Sequence, residues 1–217
     1  MNYAKKKYNQ TILSMNKIIF VLPFLILCSI LAKAQTDQNG FKASLNLSNL
    51  YVDEVNDENT KPGFAVGVYF RKGLSDQISI QPEINYSLKG SQINYDGGFF
   101  TGSGKYRYNL SYIEIPVLAN IHVGESLYFS AGPYIATLIA AKVKDVDGDG
   151  SINSVEEYDR DDFNTFDYGV AAGVGFDFDG GTAGVRYNYG LVNVAPDDRG
   201  LDNGKNSVLQ FFIGFGF

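Results

Sequence analysis

Apolar and polar residues alternate with a period of two along most of the chain beyond residue 40. The last twelve residues, 206–217, set the pattern. Leu209, Phe211, Ile213, Phe215 and Phe217 take every odd position, with Gln210, Gly214 and Gly216 between them and Phe212 as the exception. Such alternation predicts a strand with one apolar face. Seven earlier stretches repeat it. The first, about 41–51, sets Phe41, Ala43, Leu45 and Leu47 against Lys42, Ser44, Asn46 and Ser48. The second alternates Phe64, Val66, Val68 and Phe70 with Ala65, Gly67, Tyr69 and Arg71, and the third runs from Ile78 to Lys89. The fourth, 105–121, changes phase: Tyr106, Tyr108, Leu110 and Tyr112 are even, whereas Ile113, Ile115, Val117, Ala119 and Ile121 are odd. One extra residue flips every side chain to the other face, so a bulge is predicted near Tyr112. The fifth (127–139), sixth (166–178) and seventh (183–191) strands keep one phase each.

The connections alternate between long and short. Short turns at 73–77, 123–126 and 179–181 alternate with long polar or Gly-rich segments, the longest being 144–163. A soluble sandwich would need a second layer to cover so many apolar faces, whereas a membrane barrel points them at lipid. The fold class expected is all-β: an eight-stranded antiparallel up-and-down transmembrane β-barrel. The short turns and both termini of the barrel domain face the periplasm, and the long loops face outward. The polar faces carry Lys42, Arg71, Lys89, Arg107 and Arg186 against Glu83, Glu114, Asp167 and Asp177. In an eight-stranded barrel these point into a lumen just wide enough for side chains. They are expected to pair there, because unpaired buried charge is costly. Phe212 is expected to fill lumen space against Gly-rich neighbours.

Charge sharpens this once the beginning of the chain is set aside. Five of the 18 basic residues precede residue 35 and none of the 24 acidic ones do, so the remainder holds 13 against 24, a net charge of −11. That acidity argues against a nucleic-acid partner and leaves outer-membrane lipid and envelope proteins as the expected ones. Residues 1–34 are expected to be a signal peptide: Met15 to Lys17 is a short basic start, Ile18 to Leu31 an apolar run, and Ala32-Lys33-Ala34 a small-x-small cleavage site. Met15 is an alternative start. Residues 35–217 are then one outer-membrane β-barrel domain. The single Cys, Cys28, lies inside the apolar run after Leu27, a poor fit to a lipidation site. Thiol chemistry is therefore not expected beyond the signal.

Three segments, SYIEIPVLANI (111–121), FDYGVAAGVGFDF (166–178) and RYNYGLVNV (186–194), resemble the signature segments of the PorT-type outer-membrane β-barrel family. The resemblance implies a fold similar to the eight-stranded OmpA-type barrel and a place in the outer membrane of a Gram-negative bacterium. It implies no particular activity.

One motif carries chemistry of its own. Asp145, Asp147, Asp149, Ser151, Asn153 and Glu156 satisfy D-x-[DN]-x-[DN]-G-x₅-E throughout, with Gly150 at the turn. Carboxylates at the first, third and fifth positions supply hard oxygens, the Ser151 carbonyl a fourth ligand, Asn153 a water-mediated one, and Glu156 closes the sphere. Ca2+ is the expected cofactor, held weakly with a dissociation constant of about 10⁻⁴–10⁻³ M as in extracellular modules. The flanking helices of an EF-hand are missing. An enzyme is not expected, because His122 is the only histidine and falls beside a periplasmic turn. The function expected is a structural or interaction role with displayed loops. The alternatives are a component of a secretion or surface-assembly complex and, less favoured, a narrow solute channel.

Overall fold

The computed structural model describes residues 38–51, 60–97, 102–147, 152–158, 163–194 and 204–217, with side chains at 38–49, 60–91, 107–142, 163–194 and 204–217. The proposed signal peptide lies outside the described residues. Among the described residues there are ten strands: β1 (Gln38–Tyr51), β2 (Lys61–Gly73), β3 (Ile78–Lys89), β4 (Gln92–Gly97), β5 (Gly102–Val123), β6 (Leu127–Asp147), β7 (Ile152–Tyr158), β8 (Phe166–Phe178), β9 (Gly181–Asn193) and β10 (Lys205–Gly216). Eight of them form a closed antiparallel barrel in the order β1-β2-β3-β5-β6-β8-β9-β10. The C-terminal strand closes it. From Gly40 opposite Gly216 to Tyr51 opposite Lys205, β10 pairs with β1 along its length, which removes the last open edge.

The two faces divide as the alternation requires. Phe41, Leu45, Phe129, Ile135, Phe166, Val170, Phe176, Phe211, Ile213 and Phe215 are exposed on the outer surface, where lipid replaces a second layer. The alternate positions are buried and mostly polar: Lys42, Asn46, Arg71, Gln81, Glu83, Lys89, Glu114, Asn120, Asp167, Arg186 and Gln210. Phe212 is the aromatic exception and is buried in the lumen. A Cβ added to Gly184 would lie 2.6 Å from its ring, so the missing side chain at 184 is the room the ring occupies.

Three expectations are corrected. The irregularity falls between Ser111 and Tyr112 on β5, but the extra residue belongs to the neighbouring strand: Ser111 faces Ala140 and Tyr112 faces Leu138, leaving Ile139 over. β5 itself does not change phase, and Leu110 and Tyr112 point inward rather than to lipid. They join Leu138, Ala141, Phe163 and Val194 in an apolar cluster that occupies the extracellular end of the lumen. Arg107 is the second correction, for it is exposed above this cluster and not part of the lumen. The third concerns the long connections. β5 and β6 remain paired as far as Gly104 opposite Asp147, and β4 and β7 flank them. Part of two expected loops is therefore a four-stranded sheet that prolongs one side of the barrel.

Candidate functional site

Lumen charges are arranged in layers because successive inward positions on a tilted strand lie at different heights. In the middle layer, five donors converge on Glu83. Arg186 donates through both terminal nitrogens at 2.9 Å, Gln81 at 2.7 Å and Asn85 at 3.0 Å, and the Lys42 ammonium completes the set. The ring of Phe212 lies 5.5 Å from the Lys42 ammonium and 5.2 Å from the Arg186 guanidinium, so both cations rest on its face. Bidentate Arg–carboxylate geometry is the strongest form of such pairing.

Toward the extracellular side, Lys89 pairs with Glu114 and stands 3.9 Å from Asp167. Tyr134 donates to Asp167 at 3.2 Å and Asn206 does so at 2.9 Å, while Asn188 reaches Glu114 at 3.4 Å. The Lys89 ammonium also lies over the rings of Tyr134 and Tyr112, at 4.7 Å and 5.3 Å.

At the periplasmic mouth, Arg71 bonds both carboxylate oxygens of Asp177 at 2.7 Å and 2.8 Å and stacks 4.5 Å over Tyr128. Here His122 Nε2 is 2.9 Å from Ser79 Oγ, and its Nδ1 is 3.9 Å from Asp177. These are the residue types of a nucleophile relay, brought together from β3, β5 and β8. The geometry argues against one: 3.9 Å exceeds a hydrogen bond, Asp177 is already neutralised by Arg71, and Ser79 is buried. The group is a polar network at the mouth of the barrel.

The acidic motif divides across the extension. Asp145 and Asp147 lie at the end of β6, and Asn153 and Glu156 lie in β7. Asp149 and Ser151 fall outside the described residues. Asp145 is opposite Ser154 and Val143 opposite Glu156, with Asn153 the extra residue where the register shifts. A ladder, not a helix pair, brings the two ends of the motif together.

Sequence alternation had pointed to eight of the nine lumen charges it named. Four tyrosines line the lumen beside the charges, Tyr69, Tyr112, Tyr128 and Tyr134, all fully or nearly fully buried, and of these only Tyr112 was expected on the apolar face. Tyr69, Tyr128 and Tyr134 stand in phase with the charges, and that phase is the signal that marks them.

The sequence matches the family model described as "Outer membrane protein beta-barrel domain" over residues 33–195. A comparison with curated proteins finds no match. Among solved structures, the chain is similar to Neisserial surface protein A, at 15% identity, covering 84% of this chain and 100% of that one with a TM-score of 0.49. It is also similar to Ail, the attachment invasion locus protein of Yersinia pestis, at 11% identity, 84% and 100% coverage and a TM-score of 0.48. The closed eight-stranded wall and its apolar outer surface agree with the matched model, and the chain belongs to the family of outer membrane protein β-barrel domains, placed in the outer membrane of a Gram-negative bacterium.

Proposed function

We propose that this barrel is a structural and interaction protein that presents its extracellular extension to a protein partner. One observation carries the reading. β4 and β7 each pair on one side only among the described residues, so the four-stranded extension β4-β5-β6-β7 ends in two open edges. An open edge offers a row of unpaired N–H and C=O groups, which is a template for an added strand. The barrel beneath supplies a rigid, lipid-anchored base. A narrow solute channel is less well supported, because Arg186, Tyr69, Tyr112, Tyr128 and Tyr134 fill the lumen from several strands.

The second reading, a component of a secretion or surface-assembly complex, places the partner at the periplasmic turns or the rim instead. A photoreactive residue in place of Ile93 or Val155, used in intact cells, separates the two. Capture of one defined partner from these edge positions, and none from Ser126, supports the first reading. Capture from Ser126 alone overturns it in favour of the second.

Calcium at the tip of the extension belongs to the same proposal. Titration calorimetry is expected to show weak binding, with a dissociation constant of about 10⁻⁴–10⁻³ M. Asp145→Ala with Asp149→Ala is expected to abolish the heat, and a silent wild-type protein would remove calcium from the reading.

A further inference from the structure

The four-stranded extension has two faces, and strand register sorts its charges between them. On the face that continues the lipid-facing wall, Arg107 of β5 stands directly opposite Lys144 of β6. Lys105 is the next position up β5 on that face, and Lys142, opposite Asn109, is the next one down β6. Arg107 and Lys142 are both exposed. Four of the 13 basic residues beyond residue 35 therefore share one patch of a single strand pair, in a stretch of chain whose net charge is −11.

Neighbouring carboxylates do not cancel this patch. Asp145 and Asp147, opposite Tyr106 and Gly104, and Glu156, opposite Val143, take the other face. On the cationic face the flanking strands place Gln92 beside Arg107, Asn94 beside Lys105 and Val155 beside Lys144. Glu157, opposite Lys142, and Asp96, opposite Ser103 at the far end, are the acidic positions there, so among the described residues four cations meet two carboxylates. Like charges directly opposite each other weaken a strand pair. Arg107 and Lys144 are such a pair, and an anion shared by both turns their repulsion into attraction.

The height of the patch points to the source of that anion. Tyr86, Ile113, Thr137 and Phe166 form one lateral row below it, across β3, β5, β6 and β8. Aromatic residues of this kind flank the apolar band of a membrane barrel. Ile139 is the last large apolar residue exposed on β6 among the described side chains. Lys142 lies three residues further on, roughly 8 Å higher on a strand tilted as barrel strands are. Arg107 and Lys144 follow one repeat later. These positions stand at and just beyond the hydrocarbon edge, where the headgroups of the outer leaflet lie.

We propose that the outer face of the extension binds the phosphorylated headgroup of an outer-leaflet lipid, with a phosphate over the Arg107–Lys144 pair and Lys105 and Lys142 beside it. A guanidinium matches two phosphate oxygens at once, and ammonium groups supply compact charge around the others. Continuity with the wall selects a lipid over a soluble anion, because a lipid packed against the exposed Ile115, Ile135 and Ile139 brings its headgroup to this level. The contact ties the extension to the membrane surface and leaves the edges at β4 and β7 uncovered.

The test uses the full barrel domain folded in a zwitterionic detergent and mixed with diphosphoryl lipid A. After gel filtration, the lipid retained per barrel is counted by mass spectrometry, and at least one molecule is expected. Arg107→Gln with Lys144→Gln is expected to lower the affinity about 30-fold, about fivefold for each charge removed near a lipid surface. Lys72→Gln, near the periplasmic end of β2, is expected to retain the lipid as the native barrel does. Lipid A stripped of its phosphates is not expected to be retained. Thermal loss of the heat-modifiable gel band gives a second readout, whose sign depends on the lipid. Without lipid A, the double variant is expected to melt no lower than the native barrel, since a like-charge pair is gone; with lipid A it is expected to melt below it. No retention by the native barrel, or equal retention by the double variant or of the dephosphorylated lipid, would overturn the proposal. Displacement of the lipid by millimolar inorganic phosphate would do the same, by making the site one for a soluble anion.

Discussion

Replacing Glu83 with alanine is expected to destabilise the folded barrel by roughly 3–5 kcal/mol, the cost of breaking a buried ion pair by removing one partner. Glu83 is fully buried and receives Lys42 and Arg186 together, so its loss strands two cations in the lumen. Gln81 and Asn85 also lose their acceptor. Asn and Gln donors can turn elsewhere, but ammonium and guanidinium groups have no remaining anion within the middle layer. Urea unfolding in detergent, read from the heat-modifiable gel band, measures the change. A second variant separates charge from volume. Lys42→Met, Glu83→Leu and Arg186→Met together remove all three charges and are expected to cost far less than Glu83→Ala alone, since a well-packed apolar replacement of an ion cluster is often near neutral. An alanine variant within about 1 kcal/mol of the native barrel would mean that water or displaced loops reach these cations, contrary to the packing described.

The second large effect concerns the outer surface. Val174→Arg is expected to cost about 2–4 kcal/mol, because the side chain points into hydrocarbon near the middle of β8. Val174 faces Phe129 on β6 and Val185 on β9, and it lies on the exposed apolar surface. The same substitution at Leu191, near the extracellular end of β9, is expected to cost only about 0–1 kcal/mol. Depth dependence is the point of the comparison. In water, an arginine at either exposed position would change stability by no more than about 0.5 kcal/mol. Equal and small effects at Val174 and Leu191 would therefore contradict a lipid-facing wall.

The barrel wall was readable from alternation because a lipid-facing strand and a charged lumen impose opposite chemistry on successive residues. Strands β1, β2, β8 and β10 follow that rule closely, and Phe212 follows it as an aromatic filler. The rule fails at Leu110 and Tyr112. An apolar residue near the end of a barrel can face lipid or can pack inside against Leu138 and Phe163, and periodicity does not distinguish the two. The phase change along β5 reflects the inward apolar residues Leu110 and Tyr112, whereas the bulge lies on β6, where Ile139 is the extra residue. β4 and β7 escaped notice for a different reason. QINYDG and INSVEEY are short and carry only two and three large apolar residues, too few to mark a strand beside the Gly- and Asp-rich segments they adjoin.

Among the candidate sites, the acidic motif was a matter of spacing and could be read directly. The cluster around Lys89 could not be. Glu114, Tyr134, Asp167 and Asn206 reach it from β5, β6, β8 and β10, and nothing local in any of these segments signals that they meet. The same holds for Ser79, His122 and Asp177, whose proximity arises only when β3, β5 and β8 are wrapped around one axis.

The amino-acid sequence by itself determined the number of wall strands, which face of each meets lipid, and that charges of both signs enter the lumen. Local alternation encodes these properties because each depends on one residue and its environment. Only the tertiary structure decided which charges pair, where the apolar cluster occupies the lumen, and which polar groups meet at the periplasmic mouth. Those depend on strand register and closure, which set the heights at which distant residues face each other.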